Sequence, residues 1–172
     1  DIELAMQTNS KVHLAHISTR GSVEFIRQAK NMGINITAEA TPHHLTITEE
    51  WVRPINDSML KYNTNAKVNP PLRTKEDVDA IVLALSDGTI DCIGTDHAPH
   101  STEDKSYSFE DASFGISGLE TAFGALMSLV HKNRIDLSTL IKSLTYAPAR
   151  IINKPDICTG TLAVGSRADV TI

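Results

Sequence analysis

Residues 11–41 read KVHLAHISTRGSVEFIRQAKNMGINITAEAT, and the pattern in this stretch changes twice. Residues 11–18 are an apolar-rich run with strand character. Residues 21–32 then carry Val23, Ile26, Ala29 and Lys30 at helical spacing, with Gly33 as a stop. Residues 34–41 return to strand character. The alternation continues outward. Thr74 stands where it can cap a helix over 74–86, with Asp77 at the third helical position and Val78, Ile81, Val82 and Leu85 as the apolar stripe. Asp87-Gly88 breaks that helix, and residues 89–95 (TIDCIGT) read as a third strand. Strands alternating with helices predict an α/β fold with a parallel sheet and crossover helices. Further on, Leu119, Ala122, Phe123, Leu126, Leu129 and Val130 give residues 117–132 a wide apolar face. A second helix is expected over 137–144 behind Asp136, with a short turn near 149–152 after Pro148. Residues 1–10 read as the end of a helix, and the tail GTLAVGSRADVTI (160–172) reads as β.

The composition excludes several classes. Of 172 residues, 41% are hydrophobic and 22% charged, which fits a globular chain and not a disordered one. No uninterrupted apolar run is long enough to span a membrane. Sixteen Lys and Arg against twenty-one Asp and Glu give no electrostatic case for nucleic acid. Cys92 and Cys158 lie far apart and form no disulfide framework, which fits a reducing compartment. The chain opens without a clear cap and stops inside an apolar alternation, so it is expected to be a piece of a longer protein. Open strand edges would then drive self-association.

Two connections are long, 42–73 and 96–116, where compact α/β folds use about 2–6 residues. Both follow the C-terminal end of a strand, the face on which parallel α/β proteins build their chemistry. Five clusters sit there or nearby. In AHIST (15–19), alternation sets Val12, Leu14 and His16 on one face, with His16 available to a metal, and sends His13 to the other as a helix-facing or surface residue. In TPHHL (41–45), adjacent side chains of extended chain diverge. One of His43 and His44 is therefore expected to fix the loop and the other to face solvent. In GTDHAPH (94–100), Gly94 leaves room for close approach, and Asp96 stands at a strand end near His97 and His100 as metal ligand, general base or both. In KVNPPLR (67–73), two prolines stiffen a loop that offers Asn69 to an amide and Arg73 to a carboxylate, or uses both to tie itself down. In EDASFGISGLET (110–121), Phe114-Gly115 can bring bare backbone to a planar ligand, or simply turn the chain before a helix.

With HLAHIST, TAEATPHHL, KVNPPLR, GTIDCIGTDHAPH, FEDASFGISGLETA and GTLAVGSRADVTI in this order, the chain resembles the bacterial class I dihydroorotases of the amidohydrolase superfamily. The resemblance implies the C-terminal part of a (β/α)8 barrel, strands six to eight with their helices, over residues 1–155. Residues 156–172 would start a small β module. It implies His16 and Asp96 as metal ligands, with Asp96 also the catalytic proton shuttle. Asn69, His100, Phe114 and Gly115 match substrate-binding positions, while no ligand role is carried onto His43 or His44. The implied cofactor is zinc, two ions in an intact enzyme, and the implied partner is a small-molecule substrate, N-carbamoyl-aspartate or dihydroorotate. A cytoplasmic homo-oligomer is expected. So is inactivity of this stretch alone, since ligands from earlier strands are absent from it. Allantoinase, dihydropyrimidinase or a non-catalytic scaffold are the alternatives. Residues 51–66 look longer than the family's loop, which bears on where Asn69 stands.

Overall fold

The structure, a computed structural model, describes residues 1–54, 62–154 and 160–170. Its centre is a parallel sheet of β1 (Val12–Leu14), β2 (Ile36–Ala40) and β3 (Cys92–Ile93), in that spatial order. The register pairs His13 with Thr37 and Glu39 with Cys92. All three strands are shorter than their apolar runs. β2 alternates strictly: Ile36, Ala38 and Ala40 are buried, while Thr37 and Glu39 are half-buried on the opposite face.

The buried face is covered by the crossover helices α2 (Arg20–Asn31) and α4 (Lys75–Asp87). Val23, Ile26 and Ala29 of α2 join Ile81, Val82 and Leu85 of α4 in one core with the strand residues. Each large aliphatic side chain so buried contributes about 1.5–3 kcal/mol. Both helices begin on threonine caps. Thr19 accepts from the Ser22 amide, and Thr74 accepts from the Asp77 amide. Asp77 Oδ1 also accepts from the Arg20 amide at 2.8 Å, which ties the two helix starts together. Gly88, at φ 82°, ends α4 in the left-handed conformation that glycine takes without steric cost.

Ile2–Thr8 forms α1, closed by Asn9 at φ 52°. α3 (Pro42–Thr46) replaces the extended segment expected there; Thr41 caps it and Pro42 opens it. The next long helix, named here after the short α5 (Thr102–Ser106), is α6 (Ala122–His131). It starts five residues later than its apolar pattern suggests. The reason is local: His97 Nδ1 accepts from the amides of Gly118 and Leu119 at 3.2 and 3.1 Å, which holds that stretch out of the helix. α7 (Leu137–Leu144) and α8 (Tyr146–Ile152) follow. Pro148 sits in the first turn of α8, where its missing N–H costs no bond. Residues 160–170, expected as β, form no strand; a strand needs a paired neighbour, and none of the described strands lies beside them. Cys158, residues 155–159 and the final two positions lie outside the described residues, as do residues 55–61 of the loop expected to be long.

Candidate active site

At the C-terminal ends of the strands the chain leaves the sheet through two residues in the left-handed region, His16 at φ 54° and Asp96 at φ 49°. Neither is glycine, so each carries a backbone cost on the order of 1 kcal/mol that the surroundings must hold in place. The two side chains converge: His16 Nε2 stands 3.8 Å from Asp96 Oδ1. Glu39 completes the group. Its Oε1 lies 3.3 Å from His16 Nε2, and its Oε2 lies 3.2 Å from His13 Nε2. Gly94 gives this carboxylate its space, because a Cβ there would stand 2.6 Å from Glu39 Oε2.

His13 is exposed, as expected of a surface residue, but the geometry corrects its separation from His16. Strict alternation separated it from His16, but the left-handed turn at His16 swings the later ring back, and both imidazoles meet on Glu39. Sequence reasoning missed Glu39. Its signal was present, an acid at an alternate position in the otherwise apolar run ITAEA. One step back along the same face, Cys92 is buried and free. Burial first, then the nearby carboxylates of Glu39 and Asp91, push its thiol up to about 12.

His43 and His44 are both buried, at 7% and 2% exposure, so neither faces solvent. The helical turn of α3 carries both inward, with their rings 4.5 Å apart. His44 Nε2 donates to the Pro70 carbonyl at 2.9 Å, which leaves Nδ1 to pair with Thr41 Oγ1 at 2.8 Å. His44 therefore pins the loop that bears Asn69 to the start of α3. Burial lowers the basicity of His44, against the pull of the Pro70 carbonyl. Burial, with His44 and His16 nearby, lowers that of His43 to about 3, and its Nε2 has no partner among the described residues.

The loop after Asp96 is tied down from below. His100 Nε2 donates to the Phe114 carbonyl at 2.8 Å, which leaves Nδ1 of this exposed ring as an acceptor. Gly115 is required here: at φ 137°, a Cβ would stand 2.5 Å from the Ala98 carbonyl oxygen. Its backbone is not bare, however. The Gly115 amide donates to the Lys67 carbonyl at 2.9 Å, and its own carbonyl accepts from Lys105 Nζ at 2.7 Å. The exposed part of this pair is the Phe114 ring, 55% exposed with Lys67 Nζ 4.3 Å from its centre. Asn69 is exposed on the neighbouring loop, while Arg73 holds a buried Nε without a partner among the described residues.

Two lysines that the sequence did not flag organise these loops. Lys67, 6% exposed, donates to the carbonyls of Glu110 and Ala112 at 2.8 and 2.6 Å. Lys105 donates to the carbonyls of Thr64, Ser113 and Gly115. Lys67→Met keeps the stem but leaves those acceptors unpaired, at a cost of about 1–3 kcal/mol. The expected outcome is a lower urea midpoint and faster limited proteolysis within residues 101–116. An unchanged cleavage rate there would show that Lys67 does not hold the loop.

The whole sequence, residues 1–172, matches the amidohydrolase family. The chain belongs to that family. It is 50% identical to the dihydroorotase of Caldanaerobacter subterraneus subsp. tengcongensis and 49% identical to that of Endomicrobium trichonymphae, in each case over the full chain. It spans 38% and 39% of the length of those relatives. Among solved structures it is similar to the L-hydantoinase (dihydropyrimidinase) of Arthrobacter aurescens, at 32% identity and TM-score 0.83, covering 97% of this chain and 36% of that one. It is also similar to the dihydropyrimidinase of Brevibacillus agri, at 25% identity and TM-score 0.84, with the same coverage. No helix among the described residues is long and apolar enough to cross a membrane.

Proposed function

We propose that this chain forms the later strands, six to eight, of a dihydroorotase barrel. The complete enzyme would interconvert N-carbamoyl-L-aspartate and L-dihydroorotate in pyrimidine synthesis. The observation that carries the reading is the meeting of His16 and Asp96 at 3.8 Å on the strand ends, in a chain whose curated relatives are named dihydroorotases. In the complete enzyme residues 1–155 would belong to the barrel, and the chain from 156 on would lead into a β module whose pairing strands lie outside this stretch.

The donor set fits a metal: His16 Nε2 stands 3.3 Å from Glu39 Oε1 and 3.8 Å from Asp96 Oδ1, and nitrogen and oxygen donors suit zinc. His16 and Asp96 would hold it. When bound, zinc supplies water acidified toward a pKa of about 7 and draws charge from the amide carbonyl under attack. Asp96 would accept the proton that the attacking water gives up as its oxygen bonds to the carbonyl carbon, and would deliver it to the ring nitrogen as the C–N bond opens. The reverse order closes the ring. His100 offers Nδ1 to a substrate N–H, and Asn69 stands ready to pair with the ring amide. The fixed loops orient the ring and spare the entropy of doing so during the reaction.

The test is a substrate panel on the zinc-loaded full-length protein: dihydroorotate, dihydrouracil, hydantoin and allantoin. The expected result is a kcat/KM for dihydroorotate at least about 100-fold above the rest, the discrimination that a site built to pair with a polar group provides. Preference for hydantoin or dihydrouracil would move the assignment to the hydantoinases, and turnover of none would leave a scaffold.

A further inference from the structure

The mechanism leaves one cluster unused. One step back along the strands from His16 and Asp96, the ligating atoms of His13, Glu39 and Cys92 all lie within 4.8 Å of one another. The three come from three different strands, brought together by the register that sets Glu39 beside Cys92. We propose that these residues form a separate thiolate-containing metal site for a divalent ion of the zinc class, with Glu39 shared between it and the His16–Asp96 pair.

Several features of the surroundings suit that role. Thr37 Oγ1 lies 2.8 Å from His13 Nδ1, which fixes the ring and aims Nε2 at Glu39, the arrangement by which an outer partner orients a ligating histidine. Gly94 leaves the Glu39 carboxylate free to lie between the two groups. The Glu39 and His13 side chains are 18% and 30% exposed, and Cys92 closes the site from inside at 3%. A thiolate with an imidazole selects zinc, cobalt or copper over magnesium and calcium. On binding, the Cys92 S–H bond breaks, the thiolate bonds to the ion, and the proton leaves to solvent.

Cobalt(II) is the probe, titrated anaerobically into the protein. A thiolate ligand gives a near-ultraviolet sulfur-to-cobalt charge-transfer band, which nitrogen and oxygen ligands do not. The band is expected in the wild type, in Cys158→Ser and in Asp96→Asn, and is expected to vanish in Cys92→Ser. His13→Gln should weaken cobalt affinity at least about tenfold, since loss of an outer partner alone costs 10–100-fold. Visible absorption with no sulfur band in the wild type would overturn the proposal while leaving the His16–Asp96 reading in place. A band that survives Cys92→Ser, or is lost with Cys158→Ser, would overturn it too. The wild-type result decides the matter even if Cys92→Ser does not fold.

Discussion

Asp96→Asn, in the zinc-loaded full-length protein, is expected to lower kcat for dihydroorotate by about 10²–10⁴-fold, the range that a positioned acid–base group supplies. The substitution is chosen to isolate chemistry from folding. Asp96 sits at φ 49°, and asparagine is one of the few residues that shares aspartate's tolerance of that region. Size and shape are kept, so the melting temperature of the metal-free protein should hardly move. What is lost is the carboxylate's negative charge, 3.8 Å from the His16 ring, and its capacity to accept a proton and return it. Both losses bear on the reaction, and they separate by measurement. Weaker metal binding is restored by raising the zinc concentration; a missing proton carrier is not. A loss below about tenfold at saturating zinc would remove Asp96 from the proton transfer. His16→Asn, by comparison, should respond to added zinc.

The sequence allowed the crossover helices and the strand order to be read because their signals are periodic and local. Val23, Ile26 and Ala29 repeat on one side of α2, and all are buried. Thr74 sits at the cap of α4. Readings went astray where one residue's conformation or one long-range bond overrode the period. The left-handed turn at His16 breaks the alternation that seemed to part it from His13. His97 holds the amides of 118 and 119, and an apolar run that looks helical from 117 starts its helix at Ala122. TPHHL was read as extended chain although a threonine followed by proline is a helix-start signal; one histidine, His44, fixes the loop as expected, but the one expected to face solvent is buried instead. Lys67 and Lys105 left no trace in the pattern. Their partners are backbone carbonyls 41 or more residues away in most cases, and a carbonyl has no sequence signature. The candidate ligands His16 and Asp96 were visible because they stand at strand ends; Glu39 became visible only when the register brought three strands side by side.

Acid should unfold the chain in a window that carboxylates alone do not explain. His43 is buried, lacks a partner on Nε2 among the described residues, and has its basicity lowered to about 3. In the unfolded chain a histidine titrates near 6.5. The folded value lies below the unfolded one, so between these two pH values the unfolded state binds the extra proton. Stability from this group is therefore complete above about pH 6.5 and drains away as the pH falls toward 3. The slope is about 1.4 kcal/mol per pH unit per histidine, and the ceiling for His43 is about 4–5 kcal/mol. His44, lowered in the same direction, adds to the slope. The carboxylates Asp79 and Asp87, lowered by their cationic and hydrogen-bond partners despite some burial, act only below their unfolded values near 4, so the interval from pH 6.5 to 4 belongs to the histidines. His43→Leu keeps an apolar side chain in the site and removes the proton acceptor. Urea unfolding at half-unit steps should show the variant losing about one proton's worth of slope in that interval relative to the wild type. Equal slopes would mean that His43 is protonated in the native state at mildly acidic pH, with the α3 turn opening to admit the charge.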